Sequence, residues 1–258
     1  MELRYHAQTF RLLGLVPSRR PDADVLLAGR ESACGSAFPA SVKEWFSLEG
    51  AAELFSRSTQ ERMSPLEALG SPGQVAQGYL RVASENQGVV DWYVPLGGPD
   101  DPPVLVVDGD RKGPLVAASL QIHAASFGTF LFDMFAENRF RGWQLGTYLV
   151  ARGQAPDEAV LAELRAHLEE GPRTDLRHRK IRRLFGGAGW LTAVSADDDL
   201  PAHLATWTFD AASPEALHDM VRVLWRLPGL ADTIRPEGRR SAVAAGVIAR
   251  LRREGGPS

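Results

Sequence analysis

The sequence predicts an α+β fold, in which a mainly antiparallel, twisted sheet with flanking helices is followed by a smaller α+β segment. The first observation behind this prediction is a pair of apolar runs, Val89–Val94 and Val104–Val107, which flank the turn-rich segment Pro95–Pro103. The second is that helix-type apolar spacing both precedes and follows these runs. Neighbouring strands enclosed by helices are typical of a sheet that helices cover on one face.

The elements before the apolar runs are predicted to be one short strand and two helices. Val25–Ala28 is a short apolar run that predicts a strand. Pro39 predicts a helix start, because a proline at the first helical position loses no hydrogen bond. Ala51–Phe55 predicts a further helix. Three apolar residues at helical spacing predict the buried face of the Pro39 helix: Val42, Trp45 and Phe46.

The two apolar runs predict an antiparallel pair of strands. Val89–Val94 is rich in β-branched and aromatic residues, which favour strands. The proline and glycine residues of Pro95–Pro103 cannot continue a strand, so this segment is predicted to be a long acidic loop. Since side chains alternate along a strand, Trp92 and Tyr93 are expected on opposite faces, one in the core and the other exposed or at a cleft.

A third strand and a helix are predicted to complete this part of the chain. Leu115–Ile122 is the strand candidate. Ser126 is a predicted N-cap, because its hydroxyl can accept a hydrogen bond from the first helical turn. The helix that follows has an apolar face with clear helical spacing: Phe127, Phe130, Leu131, Met134 and Phe135.

After residue 142 the pattern changes, so we predict two domains, residues 1–142 and residues 143–258. The second domain is predicted to be α+β, with Ser213 as an N-cap. Its predicted helices are Pro156–Glu170, the basic segment Asp175–Phe185, Pro214–Leu227 and Arg239–Arg253. Its predicted strands are Trp190–Ala196, His203–Phe209 and Ala231–Arg235.

Composition and motifs argue against several function classes. Cys34 is the only cysteine, so an intrachain disulfide is excluded, and this fits a reducing compartment. No signal peptide and no long apolar segment is visible, so we interpret the protein as cytoplasmic. The six histidines show no metal-ligand spacing, and no nucleophile motif is present. We therefore predict a protein that is not an enzyme and has no metal or cofactor.

Three segments occur in an order that resembles a known family. They are FPASVKEWF at residues 38–46, SENQGVVDWY at residues 84–93 and DDPPV at residues 100–104. Together they resemble the SUKH superfamily, which contains fungal cell-wall-synthesis regulators and bacterial toxin-immunity proteins. The resemblance covers residues 10–140. It implies an α+β fold with a twisted sheet, and a non-catalytic role in binding and neutralising a polymorphic toxin, often a nuclease.

The same segments supply candidate residues for binding a partner. An exposed aromatic residue is a suitable anchor for a protein partner, and acidic groups would attract the basic surface of a nuclease. The alternative is structural, because Asn86-Gln87-Gly88 also suits a turn and the acidic residues also suit a solvated loop. The candidate residues are Glu85, Asn86, Asp91, Trp92, Tyr93, Asp100 and Asp101.

Two other functions remain open from the sequence. The first is a regulatory or scaffold protein that binds other proteins in a cytoplasmic assembly. The second is nucleic-acid binding through the basic segment Arg173–Arg183, although charge runs are more often solvated helix faces. Arg239–Arg253 does not predict membrane binding, because its apolar face consists mostly of Ala and Val. The predicted partner is therefore a cognate toxin or another protein.

Overall fold

The computed structural model of this 258-residue chain divides into two compact units, Met1–Phe135 and Ala136–Ser258. The boundary that the sequence predicts, between residues 142 and 143, lies outside the described residues. Both units combine helices with an antiparallel sheet, so the predicted α+β class is confirmed. The structure describes residues 2–59, 61–108, 115, 119–140, 148–167, 169–170, 174–175, 181–187, 190–195, 204–211, 213–225, 233–237 and 241–254.

The first unit has a sheet whose strands run in the order β1-β3-β4-β5-β6, and β2 also pairs with β3. Every described pair in it is antiparallel. Its strands are β1 (Arg62–Met63), β2 (Val75–Ala76), β3 (Tyr79–Ser84), β4 (Val90–Pro95), β5 (Val104–Asp108) and β6 (Gln121–Ala124). The helices are α1 (Ala7–Leu13), α2 (Ala23–Cys34), α3 (Ala40–Phe46), α4 (Ala51–Thr59) and α5 (Phe127–Phe140), which continues past the unit boundary.

Helix α3 forms where the sequence predicts it. Pro39 lies at the N-cap, with an extended ψ of 149°, rather than at the first helical position. Val42, Trp45 and Phe46 are all buried, as their spacing predicts. The aromatic ring of Trp45 lies 5.9 Å from that of Phe135 on α5, so the buried face of α3 packs in the same core as α5.

The hairpin and the helix that follows it are also confirmed. Strands β4 and β5 pair antiparallel, with Trp92 opposite Val106. The backbone N–H of Thr129 donates to Ser126 Oγ at 3.1 Å, so Ser126 caps α5. The predicted apolar face of α5 is buried in the core beneath the sheet: Phe127, Phe130, Leu131, Met134 and Phe135.

Two strand predictions in the first unit need correction. Val25–Ala28 is not a strand, because it lies inside α2. The run is too short for its period to separate a strand from a helix, and the buried pair Ala23 and Leu27 shows helical spacing. The predicted strand Leu115–Ile122 is shorter in the structure, where β6 begins at Gln121. Residues 116–118 lie outside the described part of the chain.

Gly70 holds a position where any side chain would be strained and crowded. Its φ is +70°, and a Cβ built on it would lie 2.8 Å from Cζ of Phe38, which is buried. We expect Gly70→Ala to lower the free energy of unfolding by about 2–4 kcal/mol, because backbone strain and overpacking add. Gly78→Ala is the matched control, since Gly78 has a φ of +79° but open space at its Cβ. Urea denaturation should show a smaller loss for the control; equal losses would contradict the clash.

The second unit has a sheet with the order β13-β7-β12-β11-β10-β8, and β9 also pairs with β10. Its strands are β7 (Tyr148–Gln154), β8 (Glu169–Glu170), β9 (Thr174–Asp175), β10 (Ile181–Gly187), β11 (Trp190–Ser195), β12 (Leu204–Ala211) and β13 (Arg235–Glu237). Its helices are α6 (Glu158–His167), α7 (Pro214–Leu224) and α8 (Ser241–Arg253). Ser213 caps α7, as predicted, because its Oγ accepts from the backbone N–H of Ala216.

The predicted basic helix Asp175–Phe185 is wrong for the residues that the structure describes, and residues 176–180 lie outside them. Its described residues lie in strands, since Asp175 ends β9 and Ile181–Phe185 belong to β10. Strand β10 pairs along its length with β11 and also contacts β8 and β9. This pairing outweighs the helix preference of Arg and Leu in the segment. The helical face that the nucleic-acid interpretation required is therefore missing from the described residues.

Candidate functional site

Strand β4 carries three of the candidate residues and divides them between two faces. Trp92 is 6% exposed and packs on the core side, with its ring 5.8 Å from that of Phe130. Asp91 and Tyr93 point to the opposite face, because side chains alternate along a strand. Trp92 is thus the core member of the aromatic pair, and its burial removes it from the predicted binding surface.

The face of the sheet that points away from the core carries a polar group on β3 and β4. The hydroxyl of Tyr93 donates to Asp91 Oδ2 at 3.3 Å, and Arg81 Nη1 lies 3.6 Å from the same oxygen. Burial, together with the negative charge of Asp91, raises the pKa of Tyr93 to about 12. Tyr93 is therefore a neutral hydrogen-bond donor at physiological pH, held in place by its neighbours.

An apolar row continues from Tyr93 toward the edge of the sheet. In the strand register Tyr93 lies opposite Leu105, and Leu105 lies opposite Ile122 on β6. Ile122 is 71% exposed, whereas Val107 on the same face is buried. The open part of this face therefore lies at its Tyr93–Ile122 end. We call Arg81, Tyr93, Leu105 and Ile122 the outer row.

Glu85 and Asn86 lie in the turn between β3 and β4. The backbone N–H of Gly88 donates to the carbonyl of Glu85 at 2.9 Å, and Gly88 has a φ of +74°. The backbone N–H of Asn86 donates to Glu61 Oε2 at 3.0 Å. This segment has the geometry of a turn, which is the structural alternative that the sequence offered. The side chains of Asn86 and Gln87 are exposed.

Asp100 and Asp101 lie in the loop between β4 and β5, and both have contacts within the unit. Asp100 Oδ2 accepts a hydrogen bond from the hydroxyl of Tyr5 at 3.3 Å and lies 3.8 Å from Arg4 Nη1. Asp101 Oδ1 accepts from the backbone N–H of Gly128 at 3.0 Å, in the first turn of α5. Asp101 therefore has a structural role, because a carboxylate at a helix N-terminus is stabilising.

The candidate residues form three groups along one hairpin rather than one cluster. The turn with Glu85 and Asn86 precedes β4, and the loop with Asp100 and Asp101 follows it. Strand β4 has six residues, so it separates these ends by about 20 Å. An interface of about 800 Å² per partner is roughly 30 Å across, so this separation along the strand is within the span of one interface.

The structure adds features that the sequence did not reveal. A groove of about 480 Å³ lies between α2 and α3, with charged side chains along its walls. Four of its six charged side chains form ion pairs: Arg19 Nη2 lies 2.5 Å from Asp24 Oδ1, and Lys43 Nζ lies 3.3 Å from Glu31 Oε1. In the sequence, the residues that line the groove share an i, i+3, i+4, i+7 spacing, which places them on one face of each helix. They are Asp24, Leu27, Ala28 and Glu31 on α2, and Ala40, Lys43, Glu44 and Ser47 along and just after α3.

Two further properties of the described residues concern metals and membranes. Within them, no group of three or more His, Cys, Asp and Glu side chains is arranged to hold a metal ion. None of the helices in the same residues combines the length and the apolar character that crossing a membrane requires.

Comparison of the sequence with protein-family models gives no match, and neither the curated proteins nor the solved structures show a significant similarity to it. The physical features of the hairpin are therefore the basis for a functional interpretation.

Proposed function

We propose that this chain is a non-catalytic, protein-binding immunity protein that acts in the bacterial cytoplasm by binding and neutralising a polymorphic toxin of the nuclease class. The observation that carries the proposal is the outer row, in which a fixed tyrosine and the exposed Ile122 lie in register on neighbouring strands. Tyrosine is enriched among the residues that dominate binding energy, and apolar contacts beside it exclude water.

Charge supports the same kind of partner. Acidic residues outnumber basic ones in the first unit, and the loop carboxylate of Asp100 is largely exposed, at 66% of its side-chain surface. A nuclease needs a basic surface to hold phosphate groups. Attraction between an acidic inhibitor and that basic surface raises the association rate. Because salt screens this attraction, added salt should slow the association of the two proteins.

The test measures binding of the purified chain to a toxin encoded beside its gene, by calorimetry and by inhibition of nuclease activity. We expect Tyr93→Ala and Ile122→Asp each to weaken binding by about 30-fold or more, since hot-spot truncations cost about 2 kcal/mol. Val16→Asp is the matched control, because Val16 is 97% exposed but lies outside the sheet. Circular dichroism should show that all three variants keep their fold.

Two results would contradict the proposal. One is a wild-type chain that neither binds nor inhibits the neighbouring toxin. The other is a complex that forms equally well with Tyr93→Ala, with Ile122→Asp and with the Val16→Asp control, which would place the interface away from the outer row.

A further inference from the structure

A buried histidine joins the N-terminal segment to the core of the first unit. His6 is 0% exposed, and its ring meets those of Trp45 and Phe127 edge to face, at centroid distances of 5.3 and 5.8 Å. Its Nε2 lies 2.8 Å from the carbonyl oxygen of Ser41. Since a carbonyl can only accept, Nε2 carries the proton. Nδ1 is buried without a hydrogen-bond partner.

The backbone around His6 is fixed by one carboxylate on α3. Glu44 Oε2 accepts from the N–H of Arg4 at 2.8 Å, and Glu44 Oε1 accepts from the N–H groups of Tyr5 and His6 at 2.8 and 3.0 Å. The side chains of Arg4 and Tyr5 then reach Asp100 in the acidic loop. The segment Arg4–His6 therefore contacts Asp100, whose side chain stays largely exposed.

We propose that His6 is an acid-sensitive latch, whose neutral imidazole holds the N-terminal segment against α3 and whose protonation releases that segment and its contacts with Asp100. This inference does not depend on the identity of any partner, because each contact lies within the first unit.

The surroundings of His6 are suited to the neutral ring. Protonation adds a charge and a second N–H in a site where aromatic rings provide no acceptor for it. The charged groups that face His6 are Glu44 from α3 and Asp101 from the loop. Both have an oxygen that accepts backbone N–H bonds. The chain neighbours of His6 add Arg4 and Tyr5, and α5 presents the ring of Phe127.

The balance of these effects sets the direction of the pH response. Burial lowers the pKa of His6 below the usual 6.5, while the Ser41 hydrogen bond and the carboxylates of Glu44 and Asp101 oppose that shift only partly. The released histidine regains its ordinary pKa and binds a proton more tightly. The latch is therefore closed above pH 6.5, and the ratio of open to closed chains rises by up to about tenfold for each pH unit below it.

Hydrogen exchange of the full chain, read by mass spectrometry between pH 7.5 and 5.0, tests the latch. We expect peptides that span residues 4–13 to lose protection below pH 6.5, after correction for the intrinsic exchange rate, while β3, β4 and β5 stay protected. His6→Gln should abolish this response, because its amide N–H can still donate to the Ser41 carbonyl but does not titrate. His218→Gln is the control, since His218 is buried in the second unit.

Three outcomes would overturn the latch. The first is a wild-type chain whose residues 4–13 stay protected down to pH 5.0. The second is a His6→Gln variant that opens over the same pH range as wild type, and the third is loss of the response in His218→Gln. If His6→Gln fails to fold, the wild-type profile and the His218→Gln profile decide the question alone.

Discussion

Replacing Trp45 with alanine is expected to lower the free energy of unfolding of the first unit by about 3–5 kcal/mol, the range for truncating a buried aromatic residue. Trp45 is 0% exposed. Its ring lies within 6 Å of the rings of His6, Phe10 and Phe135, and its Nε1–H donates to Met63 Sδ at 3.0 Å. Alanine would leave a cavity where α1, α3 and α5 meet.

Urea denaturation followed by circular dichroism measures this loss, and Trp45→Phe is the conservative control. Phenylalanine keeps most of the ring volume but removes the Nε1–H donor, so we expect a loss of about 1–2 kcal/mol for it. Near-equal losses for the two variants would show that the hydrogen bond to Met63, rather than the volume of the ring, determines stability at this position.

Removing the carboxylate of Glu44 is expected to have the next largest effect. Glu44→Ala would leave three backbone N–H groups without their acceptor, and those of Tyr5 and His6 lie in part-buried surroundings. An unsatisfied buried donor costs about 1–3 kcal/mol. The backbone N–H of Arg4 is exposed, so it can donate to water instead. We therefore expect a total loss of about 2–4 kcal/mol in the free energy of unfolding.

Two control variants sharpen the Glu44 experiment. Glu44→Gln keeps one acceptor oxygen and should lose less stability than Glu44→Ala in the same urea titration. Glu53→Ala on α4 removes an exposed carboxylate, and such changes usually stay within about 0.5 kcal/mol. If Glu44→Ala behaved like Glu53→Ala, the contacts of Glu44 with the N-terminal segment would contribute nothing to stability.

Patterns that repeat over several turns or strands allowed correct prediction of much of the fold. Helix α5 shows five apolar residues at helical spacing after the N-cap Ser126, so its period is unambiguous. The runs that became β4 and β5 are bounded by proline and glycine, which limits the possible strand ends. In each case the local signal and the packing favour the same structure.

The prediction failed where the local signal was short or the pairing was distant. Val25–Ala28 has only four residues, and four apolar residues fit a buried helix turn as well as a strand. The segment that became β10 contains Arg182, Arg183 and Leu184, residue types that favour helices. Its strand form depends on β11 and on its other neighbours in the sheet, and no local pattern reveals that pairing.

The candidate site could be predicted in part. The alternation of strand faces correctly predicted that Trp92 and Tyr93 would separate, with one of them in the core. The sequence could not show that Asp100 meets Tyr5, because the two residues are 95 positions apart. Glu44 was missed for the same reason, since a glutamate on the polar side of a helix is an ordinary solvated residue unless its distant partners are known.

The two sheets differ in which strands pair, and this difference affects when each unit can fold during synthesis. In the first unit β3, β4 and β5 pair with their successors along the chain, so contacts form as soon as each strand has emerged. In the second unit β7 pairs with β12 and β13, which are made much later. The first unit can therefore fold on the ribosome. Strand β7 cannot pair with its neighbours until nearly the whole second unit has been synthesised.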